Sequence, residues 1–473
     1  MRPHRPFDVE DKVSEFSDKL AAFRGLRVLV VGLGRSGVGA AKVLAPVAAR
    51  VIASDEKRLE ELDPAARQLG DLGVEVRGGE QRPALLERVD LLIRSPGVPW
   101  AAPLVAAARE AGIEVIGELE LAYRLLATDR VVAVTGSNGK STTTALLGEI
   151  FRRAREEVVV AGNIGVALTA VVAELEPTTT VVAEVSSFQL EDVATFKPHV
   201  GVLLNLAPDH LDRHGSPAAY YRTKWRLFEN QDAGDYAVLN ADDAPSAESD
   251  KLRAAVLLFG ERAAPGPGVW LEDGDVKYVV RGRRGTLLAA SEVRLPGPHN
   301  LSNAMAAACA SLAVDVPAAA VAEALATFEG LPHRLEFARE VAGVRYVNDS
   351  KATNVASALA ALASFDGPVV LIAGGKSKGE DYAALASAAR GKVRAAILYG
   401  AAQEELAAAF AGVVPLERAA TVEEAVAKAA AAARPGDTVL LSPACTSWDQ
   451  YRDFEERGDD FKRAVADLSR EAG

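Results

Sequence analysis

Cysteine is almost missing: Cys309 and Cys445 are the only two in 473 residues. Two thiols without a CxxC spacing build neither a disulfide framework nor a thiolate metal site, so a reducing compartment and two small buried fillers are expected. Long apolar runs are missing too. No stretch approaches the roughly eighteen residues of a membrane span, and the opening MRPHRPFDVEDKVSEF is charged where a signal sequence would be apolar. These absences exclude membrane insertion and point to a cytoplasmic protein. Positive charge is in deficit, with 53 Lys and Arg against 65 Asp and Glu and no long basic run. Affinity for a phosphate backbone comes from clustered cations, so a general nucleic-acid binder is excluded and any anionic ligand must be met by local groups. No repeat of fixed period occurs.

What is present is a chain long enough for about three domains of roughly 150 residues, with 49% hydrophobic residues to fill their cores. Short Val-, Ile- and Leu-rich runs ending at Gly, Asp or Ser alternate with Ala-rich stretches of helical period, the pattern of α/β layers on mostly parallel sheets. The runs RVLVVG, RVIASD, VEVRGG, DLLIRSPG and IEVIGE make a first domain, 1–118. RVVAVTG opens a second, 119–330, whose GVWLEDGDVKYVV predicts a hairpin turning at Asp273-Gly274 and hence a small antiparallel appendage. After the linker TFEGLPHR a third, 331–473, carries VRYVNDS, PVVLIAGG, RAAILYG and DTVLLSP. Thr421 with Glu424 three residues on has the capping-box spacing of a helix start. Before the first strand, Val13, Phe16, Leu20 and Phe23 form a helical stripe suited to packing on the first domain.

Two stretches carry phosphate chemistry. RVLVVGLGRSGVGAAKVL is a strand, a tight glycine turn and a helix start. Gly32, Gly34 and Gly37 let backbone approach a diphosphate, and Asp55 on the next strand completes a dinucleotide fingerprint. The motif alone admits NAD or another diphosphate. VVAVTGSNGKSTTTALLGEI is stronger: a buried strand enters the turn Gly136-Ser137-Asn138-Gly139, and Lys140, Ser141 and Thr142 open a helix. Backbone N–H groups there face phosphates, Lys140 reaches the outer ones and Ser141 suits Mg²⁺. The spacing between the glycines is two residues shorter than in the standard P-loop. Hydride transfer has no use for a second nucleotide site, which weakens the NAD reading. Glu184 in TVVAEVSSFQLE and Asp209-His210 in VGVLLNLAPDHLDRH follow apolar strands, where open α/β sheets place ligand contacts. A helix cap for Glu184 and an ordinary loop hydrogen bond for His210 are the alternatives.

Together TGSNGKSTTT, GNIG, EVSSFQLE, NLAPDH, YRTKWRLFEN, GPHNLSNAMAA, GLPHRLE and NDSKATN resemble the Mur ligases, in the family's order and from about residue 27 to the end. The resemblance implies three domains and ATP-dependent amide formation in peptidoglycan precursor synthesis. DSKATN and LSPACTSWDQYRDFEERG are similar to the branch that adds D-glutamate to UDP-N-acetylmuramoyl-L-alanine through an acyl phosphate. It further implies Gly136–Ser141 around the β- and γ-phosphates, and Ser141 and Glu184 on one Mg²⁺. His210 would bind a second ion together with Lys224 in carbamylated form, although a lysine on such a helix would otherwise face solvent. Asn300, Arg334 and Asp349 fall to adenine, γ-phosphate and ribose. The acceptor's diphosphate falls to Arg35, Ser36 and Gly37 with Ser95, Gly97 and Asn163, and uridine to Asp55 and Lys57. D-Glutamate brings two carboxylates, which Lys351, Thr353, Lys378 and Ser447 would meet. Lys376 could exchange with Lys378, and Phe454 either packs beside the amino acid or is a core aromatic. The resemblance suggests a monomer.

Overall fold

Strands rich in Val, Ile and Leu with no polar alternation must be covered on both faces, and parallel sheets flanked by helices satisfy that need. The computed structural model describes residues 9–79, 81–243, 249–261 and 267–471, and the side chains of 9–14, 212 and 469–471 lie outside that description. A first sheet holds β1 (Arg27–Val31), β2 (Arg50–Asp55), β3 (Glu75–Gly78), β4 (Leu91–Arg94) and β5 (Glu114–Gly117). They are all parallel, in the order β3-β2-β1-β4-β5. The order reverses between β1 and β4, which opens a crevice at their carboxyl ends.

The central sheet holds β6 (Val131–Thr135), β7 (Val158–Gly162), β8 (Thr180–Glu184), β9 (Val200–Leu203), β10 (Tyr236–Asn240), β11 (Ala255–Gly260), β12 (Gly268–Glu272), β13 (Asp275–Val280) and β14 (Arg283–Ala289). Its order is β14-β13-β12-β11-β10-β9-β6-β8-β7, parallel up to β12 and antiparallel from β12 to β14. The expected hairpin turns at Asp273 and Gly274, both with positive φ (55° and 83°), as a two-residue type I′ turn requires. A second crevice opens between β6 and β9, where the chain changes direction across the sheet.

The third sheet holds β15 (Glu336–Val341), β16 (Val344–Asn348), β17 (Val369–Gly374), β18 (Val393–Tyr399), β19 (Leu416–Arg418) and β20 (Thr438–Leu441), in the order β15-β16-β20-β17-β18-β19. Only β15 runs antiparallel, as an edge added by the turn at Ala342-Gly343. Thr421 caps the helix Val422–Ala432 by accepting from the Glu424 N–H at 3.2 Å, as its spacing predicts.

The first two sheets form one compact unit, running to Glu292 and including Ser302–Ala326; the third forms a second with Val293–Leu301 and the chain from Thr327. Within the first unit one apolar cluster passes from Val30 and Leu44 through Leu119 and Leu125 to Val131 and Ala183. Helix Glu118–Leu125 is the joint. Glu118 accepts from the Thr169 N–H and hydroxyl at 2.7 and 2.8 Å, and Glu120 accepts from the N–H groups of Ala194, Thr195 and Phe196 at 2.9 to 3.0 Å. Burial pushes the Glu118 carboxyl up, whereas burial of Glu120 is outweighed by the hydrogen bonds to it, which hold it below the usual range, so the joint's charge-assisted bonds, about 1.5–3 kcal/mol each before the cost of burial, are those of Glu120. Of the N-terminal stripe, Leu20 and Phe23 are buried and Phe16 is packed against the same cluster, while Val13 lies outside the described side chains.

Candidate functional site

At the first crevice a cleft of about 380 Å³ is lined by Gly32 to Ser36, Asp55, Ser95 to Val98, Gly162, Asn163, Ala167 and Gln189. Of the residues expected there, Arg35, Ser36, Asp55, Ser95, Gly97 and Asn163 are gathered. Gly37 is buried behind the turn, where a Cβ would collide with the Gly32 carbonyl and come within 2.8 Å of Ser95 Oγ, so no larger residue fits. Ser95 Oγ donates to the Gly32 carbonyl at 2.7 Å and ties β4 to the glycine turn. Asp55 is already engaged, accepting from the N–H groups of Leu33 at 2.6 Å and Lys57 at 3.0 Å, which shapes the turn. Lys57 is exposed and does not line the cleft. Gln189, absent from the sequence-based set, is buried in the wall; it caps its own helix with Ser186 and shows no signal in sequence beyond EVSSFQLE.

At the second crevice the glycine turn is zipped to the loop after β9. Ser137 N–H donates to Asn205 O at 3.0 Å, Asn138 N–H to Asn205 Oδ1 at 2.8 Å, and Ser137 Oγ to Ala207 O at 2.8 Å. Asn205 therefore ties the glycine turn to the loop after β9, a role that its place in NLAPDH hints at only once the strand order is known. Gly139 has φ 84° and a Cβ there would strike the Asn303 amide, so both glycine and Asn303 are fixed by close approach. Lys140 Nζ lies back on the carbonyls of Gly136 and Ser137 at 2.8 Å. Ser141 and Thr142 start the helix Lys140–Arg153 and are buried.

Glu184 ends β8 with 2% exposure; Oε1 accepts from Asn163 Nδ2 at 2.7 Å, while Oε2 is buried with no hydrogen-bond partner. His210 adopts φ 51°, a left-handed strain for a non-glycine residue, and packs against Phe188 at 4.9 Å and Tyr220 at 6.4 Å. Lys224 is 1% exposed, not solvent-facing. Its Nζ donates to Gly136 O at 2.9 Å and lies 4.7 Å above the Tyr220 ring. Burial first, and then the charge of Lys140, hold its amine well below the ordinary lysine range. Glu184, Ser141, Lys140 and Lys224 thus converge on one turn.

A metal would find hard oxygen donors here: the Ser141 hydroxyl and an unpartnered buried carboxylate oxygen, which suit Mg²⁺. Among the described residues no group of three His, Cys, Asp or Glu side chains converges as a cage. Mg²⁺ usually keeps several waters and takes phosphate oxygens, so one or two protein oxygens fit its habit.

The second unit gathers another set. Asp349 follows β16; it accepts from Ser442 Oγ at 2.9 Å and from the Leu335 N–H at 3.2 Å, and burial pushes its carboxyl up to about 7 against the pull of Arg334 and Arg457. Asn300 is buried and donates to Pro296 O at 2.7 Å. Lys351 Nζ lies 4.8 Å over the Phe454 ring, so Phe454 is a half-buried platform beside the cation. An isolated bridge, Lys376 with Thr446, brings the loop bearing exposed Lys378 against buried Ser447, and Thr353 stands two residues after Lys351. Arg457, which reads as surface charge in DFEERGDD, is wholly buried. It donates to Ser350 Oγ at 2.9 Å, Ser350 O at 2.6 Å and Cys445 O at 3.1 Å, knotting the DSKATN loop to the SPACTSW loop. Nothing in the sequence marks that burial.

Three families match: "Mur ligase MurD-like, N-terminal domain" over residues 26–117, "Mur ligase middle domain" over 134–311 and "Mur ligase, glutamate ligase domain" over 333–445. The chain is similar to the UDP-N-acetylmuramoylalanine--D-glutamate ligase of Pelotomaculum thermopropionicum, 46% identical over 95% of this chain and 100% of the relative. It is similar to the enzyme of that name from Myxococcus xanthus, 43% identical over 94% and 99%. In fold it resembles the UDP-N-acetylmuramate-alanine ligase MurC of Thermotoga maritima, with TM-score 0.59 and 18% identity over 93% of this chain and 99% of that one. The MurF ligase of Thermotoga maritima in complex with ADP gives TM-score 0.59 and 17% identity over 95% and 99%.

Proposed function

The chain belongs to the Mur ligase family, and on that premise we propose that it is the ATP-dependent ligase joining D-glutamate to UDP-N-acetylmuramoyl-L-alanine in peptidoglycan precursor synthesis. One observation carries the reading: a glycine turn with a buried carboxylate and a buried lysine stands in the same compact unit as a separate cleft lined by a second glycine turn. Two anionic substrates need two such places. The first cleft takes the UDP of the acceptor, with Arg35, Ser36, Ser95 and the Gly32–Gly37 backbone at the diphosphate, Gly97 and Asn163 in its lining, and Asp55 on the uridine side; Lys57, outside the lining, would reach uridine only from the exposed loop after Asp55.

The reaction proceeds by phosphorylation of the acceptor carboxylate and attack of the incoming amine on the acyl phosphate, releasing ADP and phosphate. Such transfer asks the protein mainly for position and charge neutralisation. Lys140 leaves the carbonyls of its own loop for the outer phosphates, and Gly136, Ser137, Asn138, Gly139 and Thr142 frame them. Ser141 and Glu184 would hold one Mg²⁺, with His210 and Lys224 at a second; a bound ion supplies neutralisation of charge on the transferring group. Lys224 fits because burial and Lys140 lower its pKa, which eases loss of the ammonium proton; attack of the free amine on CO₂ then forms an N–C bond, releases a proton and leaves a carboxylate. In the second unit Asn300, Arg334 and Asp349 take adenine, γ-phosphate and ribose. Lys351, Thr353, Lys378, Ser447 and the Phe454 face take D-glutamate.

The domain limits 1–118, 119–330 and 331–473, a monomeric state and action in the cytoplasm belong to the same proposal. Among the described residues no helix is long and apolar enough to cross a membrane. Titration calorimetry tests the cleft. UDP-N-acetylmuramoyl-L-alanine should bind one site that Gly37→Ala weakens by about tenfold or more, since the added methyl meets fixed backbone. Binding of NAD⁺ in its place would overturn the assignment.

A further inference from the structure

Four charged side chains outside the ligand sets given above, Arg94, Glu191, Asp192 and Arg213, are buried or nearly so where the first and central sheets meet. Arg94, at the end of β4, is 0% exposed and meets Asp192 at 2.5 Å and Glu191 at 2.9 Å. It also donates to the carbonyls of Val98 and Phe188. Arg213, in the turn of helix Leu211–His214, donates to the same Glu191 at 2.7 Å and to the backbone oxygens of Val98 at 3.0 Å and Pro96 at 3.4 Å. Its guanidinium lies 5.0 Å over the Phe188 ring, and that ring meets His210 at 4.9 Å.

Arg213 therefore touches two places that the reaction must keep in register. Pro96 and Val98 form the wall of the diphosphate cleft, and His210 is the N-cap of Arg213's own helix. Its carbonyl accepts from the Arg213 N–H at 3.1 Å. A buried ionic cluster is a poor choice for stability alone, because apolar residues of similar volume hold a seam at least as well. What the ions add is direction: a planar guanidinium bonding a carboxylate and two carbonyls admits one arrangement. Strained His210 needs such an anchor, since the left-handed conformation relaxes unless its surroundings over-determine it.

Resting on the function proposed above, we propose that Arg213 is a positioning residue which fixes the acceptor-binding turn Ser95–Val98 relative to His210, and so sets where the acceptor carboxylate stands against the nucleotide. Phosphate release by the full chain, with acceptor, Mg²⁺ and D-glutamate varied in turn, tests it. Arg213→Met should raise the acceptor KM about tenfold and raise the half-saturating Mg²⁺ concentration, with the D-glutamate KM held within about twofold. Arg213→Lys, which keeps charge but loses the fork, should fall between. Arg94→Met combined with Arg213→Met should cost less than the product of the single effects, because both act on Glu191. Wild-type acceptor KM and Mg²⁺ requirement in both Arg213 variants would overturn the proposal. So would a fall in kcat and thermal stability with every KM unchanged, the mark of a purely structural part. If Arg213→Met fails to fold, Arg213→Lys is judged by the same criteria. Wild-type protein that releases no phosphate would instead overturn the functional reading.

Discussion

Lys224→Ala is expected to lower the ligase rate by about 10²–10³-fold, the scale of removing one preorganised charge-stabilising group, and short carboxylates such as formate or acetate are expected to restore part of it. Lys224 is 1% exposed beside Gly136, and burial, then the charge of Lys140, lowers its pKa well below the ordinary lysine range; among the described residues it makes no hydrogen bond to a carboxylate. A neutral amine is what reacts with CO₂, and the product carries the negative charge a phosphate-bound cation wants. Alanine leaves room where a small carboxylate can sit. Acidification works the same way: a lysine with a lowered pKa binds fewer protons folded than unfolded. Stability from this group is therefore complete above the ordinary lysine range and is lost as the pH falls from there to the lowered value, where protonation also blocks carbamylation. Steady-state rates with and without added carboxylate check this; wild-type activity in the variant, with no response to the additive, would remove Lys224 from the mechanism.

Glu184→Gln should separate function from stability. Among the described residues the buried Oε2 has no hydrogen-bond partner, and a buried carboxylate oxygen left to an ion contributes little to the fold itself. Glutamine keeps the Asn163 contact through its carbonyl and removes the buried charge. Thermal unfolding should therefore show unchanged or raised stability, while activity falls about 10²-fold and the Mg²⁺ requirement rises. Retained activity would mean that Glu184 caps the strand end rather than serving the ion. A large loss of thermal stability would say the same.

How far the sequence could be read follows from which interactions are local. Strand ends, the hairpin at Asp273-Gly274 and the Thr421 cap depend on neighbours a few residues away, and each appears as its pattern predicts. Gly37 and Gly139 are legible as glycines, but the groups that demand them, Ser95 and Asn303, come from distant segments. Lys224 could not be placed by pattern. Polar and apolar residues mix around helix Pro217–Trp225, and only the packing of Tyr220 and the phosphate turn buries that face. Arg457 and Arg94 are the same case in stronger form: charged residues at 0% exposure whose partners lie 12 to 107 and 4 to 98 positions away. Asn205 and Gln189 stood in the right motifs but showed their roles only when β6, β8 and β9 came together. The edge strand β15 is not legible in the sequence, because its alternating residues follow the linker without a turn signal strong enough to separate them.

Two phosphate sites and a cationic amino-acid pocket are expected to serve one amide synthesis selective for D-glutamate. Phosphate release measures it most directly, with purified protein, ATP, Mg²⁺ and UDP-N-acetylmuramoyl-L-alanine, and with D-glutamate compared against L-glutamate, L-alanine, L-lysine and diaminopimelate. Release that depends on D-glutamate, with little from the other four, is the predicted result. Release with L-lysine or diaminopimelate but none with D-glutamate would contradict it.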